Sequence, residues 1–151
     1  RTTKIMLNLV NEISKKLNKF SNILIKPHPV IPLKGKNLPI FEHFLVNENL
    51  ESLLPKVDLV ISGGFTSASV DAWCYSLNVI TILDPELVNL SPLMDFDNVS
   101  FVNSSYDLYQ KIISNLSQQK PNNKPDSFFY LGSNLIRWLG LIESAKSKNI
   151  A

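Results

Sequence analysis

The chain is poor in the residues that many chemistries need. A single cysteine, Cys74, in 151 residues excludes an internal disulfide and a cysteine-built zinc site. No aspartate or histidine grouping has metal-ligand spacing. Charge of one sign is lacking too. The net charge is +2 and the lysines are scattered rather than stacked in a stripe, so no nucleic-acid partner is expected. No apolar run approaches the length a bilayer needs, and no signal peptide is visible, which reads as a cytoplasmic location. Internal repeats are absent. What is present is an apolar fraction of 44%, enough for one domain with a real core. The chain opens on Arg1, without a methionine and directly in helical pattern, and reads as a piece of a longer protein.

The organising stretch is Val57 to Leu83. Asp58 to Ile61 is a continuous apolar strand after its first residue, of the kind covered on both faces in a parallel sheet. Ser62-Gly63-Gly64 follows, where two glycines let the backbone turn and approach a ligand. Thr66, Ser67 and Ser69 then supply hydroxyls and a helix cap. Val70, Trp73, Cys74 and Leu77 form the buried stripe of that helix, with Asp71 off the stripe. Asn78 ends the helix in a left-handed turn, and Val79 to Leu83 is the next strand. A strand–turn–helix–strand unit of this kind can hold a phosphate at the helix N-terminus. Asp71, one turn in, is either a dipole-favoured charge or an acceptor for ribose hydroxyls.

The second landmark is Lys26-Pro27-His28-Pro29. It closes a short strand, Asn22 to Lys26, that Pro27 cannot continue. Prolines on both sides stiffen and aim His28. Lys26 and His28 are two apart, so in extended chain a cation and an imidazole face one spot, which suits a phosphate. A surface turn with an incidental histidine is the plainer alternative.

Elsewhere the pattern is scaffold. Thr2 or Thr3 caps a first helix with Ile5, Leu9, Ile13 and Leu17 on one side and Lys15, Lys16 and Lys19 in its last turns. Val30 to Ile40 is a proline-rich loop. Glu42 to Asn47 is a short strand, with His43 on its surface. Asn47 or Asn49 caps a helix over Leu50, Leu53 and Leu54 that Pro55 ends. Asp84-Pro85-Glu86 falls at the C-terminal end of a strand, where open α/β sheets place ligands. A capped turn is the first role for these carboxylates and a sugar or ribose hydroxyl the second. Ser91 to Asn98 is a loop, Val99 to Val102 a strand, and Ser104 or Ser105 caps a helix with Leu108, Ile112, Ile113 and Leu116 inward. Gln118 to Asp126 is a polar linker. Phe128 to Ile142 is unusually apolar, becomes helical near Ser133, and offers either core packing or contact with a further domain.

These residues carry a resemblance. Lys26-Pro27-His28-Pro29 is similar to the K/R-x-H-P motif of bacterial surface-polysaccharide glycosyltransferases of the GT-B type, a group that includes sialyltransferase-like and Kdo-transferase-like enzymes. Asp58 to Ile82 resembles their second motif. Ser67 and Ser69 fall in its serine cluster, Asp71-Ala72 takes the place of Glu-Ala, Ser76 stands where a glycine is usual and Asn78 where a proline is usual. The likeness runs from about Phe20 to Leu116. It implies a Rossmann-like α/β/α domain with a mostly parallel sheet of about five strands, residues 1–117, then a linker 118–126 and a helical segment 127–151. That segment would pack on the domain or towards an absent N-terminal acceptor domain. It implies an inverting, metal-independent transfer from a CMP-, CDP- or UDP-linked sugar, with no further cofactor. His28 and Lys26 would steady the leaving phosphate, the amides of Gly64 to Ser67 would add donors, and Asp71 would hold the ribose. Ser62, Gly63, Thr66, Ser69, Asp84 and Glu86 complete the expected nucleotide site. The fragment alone would bind nucleotide but turn over little, and the whole protein would work in the cytoplasm, either free or at the inner face of the membrane. An epimerase of the same shape and a non-catalytic docking domain are the alternatives.

Overall fold

Three parallel strands, β1 (Leu59–Gly63), β2 (Asn78–Ile82) and β3 (Val99–Val102), form a sheet in the order β1–β2–β3. The computed structural model that shows this describes residues 1–17, 22–28, 30, 44–64, 66–123 and 135–148. The sheet is built on β2, every residue of which is buried. Val79, Ile80 and Ile82 are at most 1% exposed, and their burial contributes about 2 kcal/mol each. Register is regular: Val60 stands opposite Val79, Ile61 opposite Ile80 and Ser62 opposite Thr81.

Side chains alternate across the sheet, as the two-residue period of a strand requires. Leu59, Ile61, Ile80, Ile82 and Val102 face one layer, made by α1 (Thr2–Leu17) and, once the sheet is complete, a helix over Ser105–Leu116. Val60, Val79 and Val99 face the other. That second layer contains α2 (Leu50–Leu53), a 3-10 turn at Leu54–Lys56, α3 (Ser67–Cys74), and Leu93 and Phe96 from the loop after β2. The Ser105–Leu116 helix is α4, and Ile136–Lys148 is α5.

The caps explain where the helices begin. The Asn49 side chain accepts from Ser52 N at 2.9 Å, Thr66 from Ala68 N at 3.2 Å and Ser104 from Asp107 N at 3.1 Å. Each satisfies an amide that the first turn leaves over. Pro55 falls in the turn that tightens α2 to its end. Apolar spacing places Leu7, Val10, Ile13 and Leu17 of α1 inward, and Lys16 Nζ sits 5.5 Å from the ring centre of Tyr109 on α4.

Four expectations change. Among the described residues the sheet has three strands, not about five. Among the described residues, Asn22 to Lys26 and Phe44 to Asn47 meet through one parallel bridge, Ile25 with Leu45, with Ile25 N to Phe44 O at 2.7 Å and Val46 N to Ile25 O at 3.0 Å. The left-handed residue that ends α3 is Ser76 (φ 56°), not Asn78, which opens β2. Ser76 N bonds Trp73 O and Leu77 N bonds Ala72 O, the paired closure that requires a left-handed residue at that place. Leu116 is 39% exposed rather than inward. The stretch from Gln118 is not a free linker as far as Asn123. Lys120 Nζ lies 3.2 Å from Asp58, and buried Asn123 accepts from Asn98 Nδ2 and donates to Trp73 O, both at 2.7 Å.

Lys19, His43, nearly all of the loop 30–40, residues 124–126, Phe128 to Leu131 and the Ser133 helix start lie outside the described residues. In α5 the apolar side chains of Ile136, Trp138, Leu139, Leu141 and Ile142 are 49–65% exposed. Among the described residues no helix is long and apolar enough to cross a membrane.

Candidate functional site at the C-terminal edge of the sheet

The end of β1, the start of α3, the end of β2 and the start of α1 come together at one edge of the sheet. Thr2 reaches the β1 end so closely that a Cβ on Gly63 would lie 3.3 Å from its Cγ2. A side chain at Gly63 would therefore press on Thr2, which would have to give by a few tenths of an ångström. Neither Gly63 nor Gly64 has a positive φ, so left-handed freedom is not what these glycines supply. A Cβ on Gly64 would meet Leu83 at an ordinary 3.9 Å.

The hydroxyls divide into structural and available ones. Thr66 caps α3, and Ser69 is buried with its hydroxyl donating to Thr66 O at 2.7 Å. Ser69 is thus spent within the helix turn and is not open to a ligand. Ser67, the first helical residue, is exposed. The amides of Ala68 and Ser69 are already taken by Thr66, so the Ser67 amide and hydroxyl are what this helix start can offer. Beneath it, Ser62 Oγ is buried on the α3 side of β1 and has no hydrogen-bond partner among the described residues. A buried hydroxyl without a partner costs about 1–3 kcal/mol, which makes this a place where a bound group would relieve a penalty.

Asp71 follows Ser67 by one turn and is exposed on the same face of α3. It borders an open cleft of about 420 Å³ between α2 and α3, whose other walls are Asn49, Leu50, Glu51, Leu54, Cys74 and Tyr75. The volume suits a small organic ligand. Cys74, expected in the buried stripe, is only partly buried and borders this cleft. Desolvation first, and the Asp71 charge second, raise its thiol pKa.

Asp84 and Glu86 are not free carboxylates. Arg1 Nε lies 2.9 Å from Asp84 Oδ2, and its Nη1 contacts Glu86. The Asp84 contact is carried by charge more than by N–H alignment, since among the described residues Oδ2 has no well-directed donor. Asp84 is 4% exposed, and its Oδ1 accepts from Glu86 N at 3.0 Å, so it caps its own turn. The hydrogen bond to Glu86, opposed by desolvation and then reinforced by the charge of Asp84, raises the Arg1 pKa. Arg1 is the residue that sequence reasoning missed. Nothing local marks it, because its partners are brought to it by the β2 end.

Lys26 and His28 are exposed. Val30 N donates to His28 Nδ1 at 3.2 Å, leaving Nε2 as the nitrogen that can meet a ligand. Among the described residues no hydrogen bond or ion pair joins either side chain to residues 62–71. Nor do those residues contain a group of three or more His, Cys, Asp and Glu that could hold a metal ion. Comparison of the chain with protein-family models, curated proteins and solved structures finds no match.

Proposed function

We propose that the chain is the donor-binding domain of a glycosyltransferase acting on surface carbohydrate, with a nucleotide sugar held at the C-terminal edge of its parallel sheet. The observation that carries the reading is the β1–α3 junction: an unpartnered, buried Ser62 hydroxyl beneath a helix start that leaves Ser67 available. A diphosphate there meets backbone and hydroxyl donors. The nucleoside extends along the Ser67–Asp71 face into the α2–α3 cleft, where Asp71 accepts from the ribose. Lys26 and His28 supply charge and a donor to the leaving phosphate. The GT-B half-fold, the inverting and metal-free course and the absent acceptor domain all come with the motif resemblance.

Amide shifts on titration with CMP, CDP and UDP, with and without magnesium, test this. Shifts centred on Gly63 to Asp71 and on His28 are expected. No shift with any of the three sinks the reading. The uncovered apolar side of α5 supports a second one, a non-catalytic docking domain, which predicts that null titration.

A further inference from the structure

Helix α5 stands clear of the domain on every side. All of residues 135–146 are exposed, and among the described residues no part of α5 belongs to either apolar layer of the sheet. An isolated helix of 13 residues is marginal in water, and Gly140 in its middle weakens it by about 1 kcal/mol more. A surface outside the domain is therefore needed to hold it. At 3.6 residues per turn, Ile136, Trp138, Leu139, Leu141 and Ile142 spread over about 220° of the helix, and Arg137, Gly140, Ser144 and Lys148 take the other side. A seam against one other helix needs only about 100°, so pairing with a second copy would leave much of this arc in water. A bilayer surface covers the whole half of a helix that lies in it.

Charge falls on the same helix. Arg137, Lys146 and Lys148 against Glu143 leave α5 at +2, which is the whole net charge of the chain, so the remaining residues sum to zero. Lys146 falls within the apolar arc but in the last turns, where its stem can lie along apolar surface with the ammonium at the headgroups. Glu143 stands near one margin of the arc. The helix is too short to cross a bilayer. From the coincidence of uncovered apolar arc and net positive charge we infer that α5 lies in the plane of an anionic membrane surface, with Trp138 and its apolar neighbours turned inward and the basic side chains at the lipid phosphates. This is independent of the donor-domain reading.

The test uses the 151-residue chain and co-sedimentation with vesicles of phosphatidylcholine, alone or mixed with phosphatidylglycerol. Expected is binding to the mixed vesicles that weakens in high salt, slowed amide exchange over residues 136–148, and a blue shift of tryptophan fluorescence. Trp73 is 3% exposed and Trp138 65%, so the shift reports Trp138. Trp138→Ser should weaken binding at least about tenfold. Lys146→Gln with Lys148→Gln should weaken it about thirtyfold on the mixed vesicles, and Glu143→Gln should strengthen it. Trp138, Glu143 and Lys146 are exposed, so the fold should be kept, and a thermal melt checks this. A chain that stays in the supernatant with both kinds of vesicle overturns the inference. So does equal binding to both, or binding that Trp138→Ser or the paired lysine change leaves intact. Self-association that Trp138→Ser abolishes, without vesicle binding, overturns it in favour of a second copy. Nucleotide titration tests the donor-domain reading separately.

Discussion

Ser62 on β1 and Thr81 on β2 stand directly opposite each other in the sheet, both buried, and among the described residues neither hydroxyl has a hydrogen-bond partner. They share the α3 side, since Val60 and Val79, two residues earlier on each strand, both face that layer. The two differ in prospects. Thr81 is 1% exposed in the central strand, whereas Ser62 lies one residue before the glycines at the sheet edge.

Thr81→Val should therefore be neutral or stabilising, by up to about 1 kcal/mol, because it removes a buried polar group that bonds to nothing. Ser62→Ala should be similarly benign for the fold but should weaken nucleotide binding several-fold. Urea unfolding of both variants, with titration of the second, separates the roles. Equal nucleotide affinity for Ser62→Ala and the parent would remove Ser62 from the site.

Ser76 stands where the resembled family has a glycine, and its backbone is left-handed. Ser76→Gly should raise stability by about 1 kcal/mol, and Ser76→Val should lower it by at least that much. Thermal melts of the two variants would show opposite shifts. Shifts of the same sign would mean that the closure of α3 does not depend on this conformation.

Asn123 bridges the Asn98 amide and the Trp73 carbonyl in a buried position. Asn123→Ala leaves that carbonyl without this donor and should cost about 1–3 kcal/mol. It should also speed amide exchange across residues 118–123, where Lys120→Ala, an exposed contact, should cost under about 1 kcal/mol.

The Cys74 thiol has its pKa raised by burial and by Asp71. The folded state then holds its proton to higher pH than the unfolded chain does. Stability is unaffected well below about pH 8.5, where an unfolded thiol begins to ionise, and falls as pH rises from there through the folded value. Cys74→Ala should flatten that part of the stability profile. Asp71→Asn should lower the thiol pKa, read from the pH dependence of its alkylation rate.

Much of this was legible from residue type. Leu59 to Ile61 and Val79 to Ile82 are unbroken runs of strand-compatible residues, Val99 to Val102 is one interrupted only by Ser100, and all three are strands. Asn49, Thr66 and Ser104 each precede an apolar helical pattern, and each caps one. The losses have a common physical origin. Arg1 pairs with Asp84 only because α1 and the end of β2 meet across the fold, and no local pattern encodes that. Asn123 sits in a polar run that resembles a linker, and only its buried partners distinguish it. Asn78 is the better left-handed residue by type, yet the hydrogen bonds that close α3 need that conformation two residues earlier, at Ser76. The four-residue spacing of Ser67 and Asp71 is enough to put them on one face of α3, and both are exposed there. That the Ser69 hydroxyl is consumed by the helix turn was not visible.

The order of strands across the sheet is also their order along the chain. During synthesis each new strand can add beside the one before it, with no earlier strand to displace. The exception is α1. It precedes the strands it packs on, and its apolar side is not covered until β1, β2 and α4 have been made. Over that interval Leu7, Val10, Ile13 and Leu17 are open to chaperones or to a neighbouring nascent chain.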